Sequence, residues 1–129
     1  MQRLMTDLIR IKKTEIFSYN YGRYQAQIEK SISYLHEKFG ESISVEELAR
    51  ECGLSVYYYI KVFRAYTGQT PYDFLIDLRL QKARNLLTET DETVEAVALS
   101  VGFSESKNFI ACFKKRLGIT PLQFRKQAP

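Results

Sequence analysis

The chain has 129 residues, of which 45% are apolar, and a formal net charge of +4. That length fits one domain or two very small ones. Only 6 Gly and 3 Pro are present, which argues against both a turn-rich β-sandwich and a disordered chain. The positive surplus permits an anionic partner such as nucleic acid without requiring one. Because the sequence shows no signal peptide and no apolar run of transmembrane length, we expect a soluble, cytoplasmic protein.

The N-terminal segment carries an apolar stripe at the spacing of one helix face. Its members are Met1, Leu4, Met5, Leu8 and Ile9. We expect an amphipathic helix here, followed by an irregular aromatic linker that ends near Tyr24. The stripe predicts a partner, either a missing N-terminal sensor domain or the same helix of a second copy in a homodimer. A membrane surface is the less favoured alternative because the polar face is short and mixed.

Two later segments repeat one pattern. Residues 47–74 align with residues 96–124, and the register shifts by one residue just after Ser104. Each copy predicts a short helix, a glycine turn and a second capped helix, which is the pattern of a helix-turn-helix. The predicted N-caps are Ser44, in a capping box with Glu47, Ser55 and Ser104. The glycines predicted to end helices are Gly53, Gly68, Gly102 and Gly118. The next helices are predicted to begin at Thr70-Pro71 and Thr120-Pro121. One such match is weak evidence, but two copies that both end in Gly-x-Thr-Pro are far more specific.

The duplicated pattern resembles the AraC/XylS family of bacterial transcription regulators over roughly residues 25–126. The stretch VALSVGFSESKNFIACFKKRLGITPLQFRK looks like the family signature, ISVEELARECGLS like the first helix-turn-helix and RLQKARNLL like the connecting helix. The resemblance implies an all-α fold of about seven helices, with two helix-turn-helix subdomains joined by a long connecting helix. Because an effector-binding or dimerisation domain often precedes this region in the family, we expect the chain to be the C-terminal part of such a regulator. A complete one-domain activator is the alternative.

The resemblance gives expected boundaries for domains and helices. The domains are an N-terminal helix and linker over 1–24, a first subdomain over 25–70, the connecting helix over 71–87 and a second subdomain over 88–129. The helices are expected at 25–39, 45–52, 56–67, 71–87, 94–100, 105–117 and 121–126.

By the same resemblance, the two recognition helices bind double-stranded DNA sequence-specifically in adjacent major-groove segments. The expected base-facing residues are Tyr57, Ile60, Lys61, Ser106, Lys107, Asn108, Ile110 and Ala111. The expected phosphate contacts are Ser44, Ser55, Arg64, Ser104, Lys114, Lys115 and Thr120. Arg116 and the pair Arg125-Lys126 extend this basic surface wherever they face outward. The chain is interpreted as a transcription activator with RNA polymerase as a further partner; the alternative is a helical protein-interaction adaptor without DNA specificity.

Helical spacing separates core from surface in the first recognition helix. Tyr59 is expected in the core, whereas Tyr57 and Tyr58 are expected to face outward. Ile60 and Ile110 are expected to be exposed, which suggests apolar contacts with DNA. Where members of the family often carry Arg or another polar residue, this chain has Ala111, which suggests weaker base reading by the second unit.

We expect no catalytic site, metal or cofactor, and so no enzyme activity. His36 is the only histidine, and no second histidine or nearby cysteine accompanies it. Ser55 and Ser104 are interpreted as caps rather than nucleophiles. Cys52 and Cys112 are interpreted as small buried thiols.

Overall fold

The computed structural model describes Phe17, Ser18 and residues 20–128, and this part of the chain is helical without a β-strand. A 3-10 turn at Gly22–Tyr24 precedes seven α-helices. They are α1 (Gln25–Lys38), α2 (Val45–Glu51), α3 (Val56–Thr67), α4 (Pro71–Glu89), α5 (Val94–Ser100), α6 (Ser106–Leu117) and α7 (Pro121–Gln127). The predicted all-α class is therefore confirmed. The predicted amphipathic helix with its stripe of Met1, Leu4, Met5, Leu8 and Ile9 lies outside the described residues.

Local caps explain why α3 begins and ends where the sequence predicts. At its start, the Ser55 side chain accepts a hydrogen bond from the Tyr58 backbone N–H at 3.2 Å. At its end, Gly68 adopts a left-handed conformation with φ +83°, which a residue with a β-carbon adopts only at a cost. Gly118 ends α6 in the same way, with φ +81°.

The predicted cap at Ser104 is wrong. The N-cap of α6 is Glu105, and no side-chain hydrogen bond caps this helix. The extra residue in the second copy gives the physical reason, because it places Ser104 one position too early to reach the first turn. The second helix-turn-helix therefore lacks the side-chain cap that Ser55 gives the first.

A complete capping box occurs at α7. Thr120 Oγ1 accepts from the Gln123 N–H at 3.2 Å, and Gln123 Oε1 accepts from the Thr120 N–H at 2.9 Å. At α2, Ser44 Oγ accepts from the Glu47 N–H at 3.1 Å, which is one half of the predicted box. The predicted cap at Thr70 is confirmed, since its Oγ1 accepts from the Asp73 N–H at 3.1 Å.

The chain divides into two compact units. The first contains the described residues up to Leu35 together with Ser44–Asp73, and therefore holds α2 and α3. The helices pack because their apolar stripes meet. The buried core residues of this unit are Phe17, Ile28, Leu35, Leu48, Ala49, Cys52, Tyr59, Val62 and Phe63. Tyr59 is thus in the core, as predicted, and its hydroxyl is hydrogen-bonded to that of Ser31.

The second unit contains His36–Ile43 and the described residues from Phe74 onward. Its core joins most of the connecting helix to the second helix-turn-helix. The buried residues of that core are Ile76, Leu80, Ala83, Leu87, Val94, Val97, Ala98, Val101, Phe103, Phe109 and Phe113.

Arg79 fixes the segment between α1 and α2 within the second unit. Its Nε donates to the Phe39 carbonyl at 2.7 Å and its NH2 group to the Glu41 carbonyl at 2.9 Å. Gly102 lies directly against this arrangement: a β-carbon there would come within 2.8 Å of Arg79 Nε and 2.9 Å of the Phe39 oxygen. Glycine is therefore needed at 102 for space as well as for its φ of +107°.

The expected irregular aromatic linker is wrong for the residues that the structure describes. Phe17, Ser18, Asn20 and Tyr21 are helical and lead into the turn at Gly22–Tyr24. Phe17 is buried and Tyr21 and Tyr24 are half-buried. Burial of this aromatic surface against the first unit stabilises the helical conformation of the segment. No helix in the described part of the chain is both long and apolar enough to cross a lipid bilayer.

Candidate nucleic-acid interface

Helix α3 presents one exposed face opposite its core stripe. Tyr59, Val62 and Phe63 are fully buried. Tyr57 is 78% exposed, and Lys61 is also exposed. Successive residues differ by about 100° around a helix axis, so residues at 57 and 61 share a face that points away from the core. This outward face therefore leaves Tyr57 and Lys61 accessible to a ligand.

Arg64 and Ile60 border that face on the same side. Arg64 is exposed, as expected for a residue that could meet a phosphate, whereas Ile60 is half-buried. The expectation that Ile60 is exposed is therefore wrong, because the protein covers part of this residue.

Helix α6 presents the corresponding face of the second unit. Lys107, Asn108 and Ala111 are exposed, and Ser106 is half-buried. Ile110 is half-buried and packs against the second unit's core, so the expectation that it is exposed is also wrong. Its apolar side chain has a protein partner, which leaves Lys107 and Asn108 as the polar side chains best placed to reach a ligand.

The residues predicted to contact phosphates differ in their exposure and in the hydrogen bonds that their side chains form within the protein. Arg64, Lys114 and Lys115 are exposed. The hydroxyl oxygens of Ser44, Ser55 and Thr120 accept helix N–H groups, but each hydroxyl still has a proton to donate. Ser104 is exposed and caps no helix.

Two of the basic residues that follow Phe113 are tied to the second unit. Arg116 forms an ion pair with Asp77, with NH1 and Oδ1 2.6 Å apart. Arg125 donates from Nε to the Leu87 carbonyl at 2.9 Å, near the C-terminus of α4. The Arg125 guanidinium thus satisfies a helix-end carbonyl, and Arg125 is not among the fully exposed basic residues.

An aromatic cluster that was not predicted from the sequence flanks α3. Tyr21 and Tyr24 contact Tyr58 edge-on, with ring centroids 6.1 Å and 5.7 Å from it. Phe17, only 6% exposed, contacts Tyr66 edge-on at 4.9 Å. Phe17, Tyr21 and Tyr24 recur at i, i+4 and i+7, a helical spacing that could have revealed the cluster.

The Glu29 carboxylate is hydrogen-bonded to Tyr66, near the C-terminus of α3. The Tyr66 hydroxyl donates to Glu29 Oε1 at 2.8 Å, and Gln25 Nε2 donates to the same oxygen at 3.0 Å. These bonds stabilise the carboxylate, with Gln25 as the larger influence, and lower the pKa of Glu29. The hydrogen bond to Glu29 in turn raises the pKa of the Tyr66 hydroxyl.

Nothing in the described residues groups three or more metal-binding side chains. His36 is exposed, and its ring contacts Phe74 edge-on at 5.7 Å. Cys52 is buried, as expected, whereas Cys112 is half-buried. Burial raises the pKa of the Cys52 thiol, which makes it a poor nucleophile.

Comparison with known proteins agrees with this geometry. A family model described as "Helix-turn-helix domain" matches residues 48–127. The chain is similar to the HTH-type transcriptional activator RhaS of Escherichia fergusonii, with 35% identity over 101 residues that cover 78% of this chain and 36% of the relative. It is also similar to the Msm operon regulatory protein of Streptococcus mutans, with 32% identity over 81% of this chain and 36% of the relative. The chain thus spans about a third of the length of these two relatives.

Solved structures share the fold. The DNA-binding domain of AdpA, solved in complex with a target DNA, superposes with a TM-score of 0.73 and 29% identity, covering 77% of this chain and 89% of that one. An AraC-type regulator from Chromobacterium violaceum gives a TM-score of 0.72 and 29% identity over 84% of this chain and 96% of that one. This is the fold of transcription regulators rather than of enzymes. The chain belongs to the AraC/XylS family of helix-turn-helix transcription regulators.

Proposed function

We propose that this chain binds double-stranded DNA sequence-specifically through α3 and α6 and thereby regulates transcription. One observation carries the proposal: each unit of a duplicated helix-turn-helix presents an exposed polar face opposite a fully buried apolar stripe. The family and the AdpA domain in complex with DNA support it.

The two helices are proposed to enter neighbouring major-groove segments on one side of the duplex. Successive major-groove segments on one face of DNA are about 34 Å apart, which is the separation that this proposal requires of the two recognition helices. Because α3 and α6 differ in sequence, the proposed target is asymmetric.

The proposed base contacts follow from the chemistry of the exposed side chains. Lys61 and Lys107 suit guanine, whose major-groove edge offers two acceptors, and Asn108 suits adenine. Tyr57 offers a ring and a hydroxyl on the same exposed face as Lys61. The remaining proposed base-facing residues, Ile60, Ser106, Ile110 and Ala111, provide apolar or small contacts at the edges. Arg64, Lys114 and Lys115 are proposed to meet phosphates.

Selection of bound duplexes from a random pool tests the proposal. We expect an enriched, asymmetric sequence that spans two neighbouring groove segments, and an affinity that falls steeply with added salt because phosphate binding releases counterions. A chain that enriches no sequence and binds duplexes without salt dependence is a protein-interaction adaptor instead, and the proposal fails.

The chain spans about a third of the length of the relatives RhaS and Msm, and its partners beyond DNA are proposed from the family. We propose that the chain acts as an activator in the cytoplasm and contacts RNA polymerase, as its family implies. The stripe of Met1, Leu4, Met5, Leu8 and Ile9 is proposed to join a preceding sensor domain or a second copy. Measurement of the chain's mass in solution, with and without Leu4→Asp and Leu8→Asp, tests the second of these.

A further inference from the structure

Arg23 lies in the turn that precedes α1 and has no role in the core. It is exposed, and its Cζ lies 4.8 Å from the centroid of the Tyr24 ring. The ion pairs recorded in the described part of the chain join other residues. The first carboxylate that follows it in sequence, Glu29, accepts hydrogen bonds from Gln25 and Tyr66 instead. The Arg23 guanidinium therefore lies over the Tyr24 ring, is exposed, and has no ion pair among the residues that the structure describes.

The Tyr24 ring places this charge beside α3. It contacts the Tyr58 ring edge-on, with centroids 5.7 Å apart and planes at 77°. Tyr21 contacts the same Tyr58 ring at 6.1 Å and 71°. Tyr58 is half-buried, so its orientation is set by these neighbours. The order Arg23, Tyr24, Tyr58 is a continuous line of contacts from the turn to the helix.

Tyr58 lies in the first turn of α3, where its N–H donates to the Ser55 side chain. It follows Tyr57, which is 78% exposed on the face proposed to meet bases, and so lies about 100° around the helix from it. A helix in the major groove has the two sugar-phosphate strands along its flanks. A cation attached to the flank of the first turn therefore faces a strand rather than a base.

We propose that Arg23 binds a DNA phosphate beside the groove segment that α3 enters, and that Tyr24 and Tyr58 hold it in position. This inference rests on the proposed function and extends the DNA surface of the first unit beyond its helix-turn-helix. Stacking on Tyr24 restricts the guanidinium before DNA arrives, which reduces the conformational entropy that binding would otherwise cost. The contact carries no sequence information, because every duplex presents the same phosphate.

Affinity measurements over a salt series test the inference. The probes are a duplex selected from the random pool and a shuffled duplex of equal length, and the protein is the full chain. Arg23→Ala should weaken binding to both duplexes by roughly fivefold at low salt and lower the slope of log affinity against log salt by about one. Lys30→Ala is the matched control, since it removes one exposed positive charge from the same unit; it should change the slope less.

A second pair of variants tests the aromatic support. Tyr24→Leu keeps the charge but removes the ring, and should produce part of the Arg23→Ala loss; Tyr24→Phe keeps the ring and should bind like the original chain. Melting temperatures confirm that each variant is folded.

Three outcomes separate the two proposals. Equal salt slopes for Arg23→Ala and Lys30→Ala would overturn the role of Arg23, as would a loss confined to the selected duplex. If the original chain prefers no sequence, the proposed function fails instead, and a lower slope for Arg23→Ala would still support the phosphate contact.

Discussion

The hydroxyl groups of Ser31 and Tyr59 are hydrogen-bonded to each other inside the first unit, where Tyr59 is fully buried. This pair joins α1 to α3. Removing one partner leaves the other as a buried polar group without its bond, which costs more than the net value of the bond. We expect Tyr59→Phe and Ser31→Ala each to lower the free energy of unfolding by about 1–2 kcal/mol. Urea denaturation measures both values.

The double variant is the control for that interpretation. Because no unpaired hydroxyl remains, the combined loss should be smaller than the sum of the two single losses. Strict additivity would mean that the two hydroxyls do not stabilise each other.

Tyr59 should also make the protein's stability fall at alkaline pH. Burial raises the pKa of Tyr59 to about 12, from an ordinary value of 10.0. Above pH 10 the unfolded chain loses this proton while the folded chain retains it, so the free energy of unfolding falls as pH rises towards about 12. The full effect is on the order of 2 kcal/mol. Denaturation at a series of pH values should therefore show a shallower alkaline decline for Tyr59→Phe than for the original chain, and identical slopes would contradict the assignment.

Gly53 and Gly102 occupy equivalent turns but should respond differently to substitution. Both have positive φ, +71° and +107°, but a β-carbon at 53 would meet nothing within 4 Å, whereas one at 102 would lie 2.9 Å from the Phe39 oxygen. We expect Gly53→Ala to cost about 1 kcal/mol for backbone conformation alone. Gly102→Ala should cost roughly 2–4 kcal/mol because a backbone carbonyl must also move. Equal losses in thermal denaturation would show that the contact at 102 relaxes freely.

The capping box at α7 predicts a further asymmetry. Thr120→Ala removes the acceptor of the Gln123 N–H and should lower stability by about 1 kcal/mol. Ser104→Ala provides the comparison: this residue is exposed and caps no helix, so its substitution should leave the melting temperature unchanged. A loss at Ser104 that matches the loss at Thr120 would contradict the observed cap positions.

Lys61 and Arg64 should separate base reading from phosphate binding within α3. If Lys61 contacts a base, Lys61→Ala should cost about 1–3 kcal/mol on the selected duplex and relax the preference at one position. Arg64→Ala should weaken all duplexes about equally and lower the salt slope. Binding of the variants to a panel of single-position duplexes distinguishes these patterns, and a uniform loss for Lys61→Ala would make it a backbone contact.

Local sequence signals were sufficient for most helix boundaries. Ser55 and Gly68 determine the two ends of α3, and no distant residue is needed to place them. Val94–Ser100 also matches the predicted helix, with Thr93 as its N-cap. The prediction from local sequence was wrong at Ser104. One inserted residue separates Ser104 from the first turn of α6, so its hydroxyl does not cap that helix, although the aligned residues still match.

The contacts that escaped prediction join residues far apart in sequence. Arg79 and Arg125 donate to backbone carbonyls that lie 38–40 residues away, and every carbonyl looks alike in a sequence. The packing of Phe17 on Tyr66 depends equally on tertiary structure, although the spacing of the aromatic residues offered a hint. The identity of the side chains that contact bases stays a prediction, because those contacts form only when DNA is bound.

The bonds from Arg79 to Phe39 and Glu41 determine where this polypeptide can be divided. Residues 36–43 belong to the second unit, whereas α2 and α3 belong to the first. The backbone therefore passes from the first unit into the second at residue 36 and back into the first at residue 44. A fragment that starts at Phe74 would keep the whole second helix-turn-helix. It would lack the Phe39 and Glu41 carbonyls that accept hydrogen bonds from Arg79. The duplicated halves are consequently interleaved along the chain, and no single cut releases both intact.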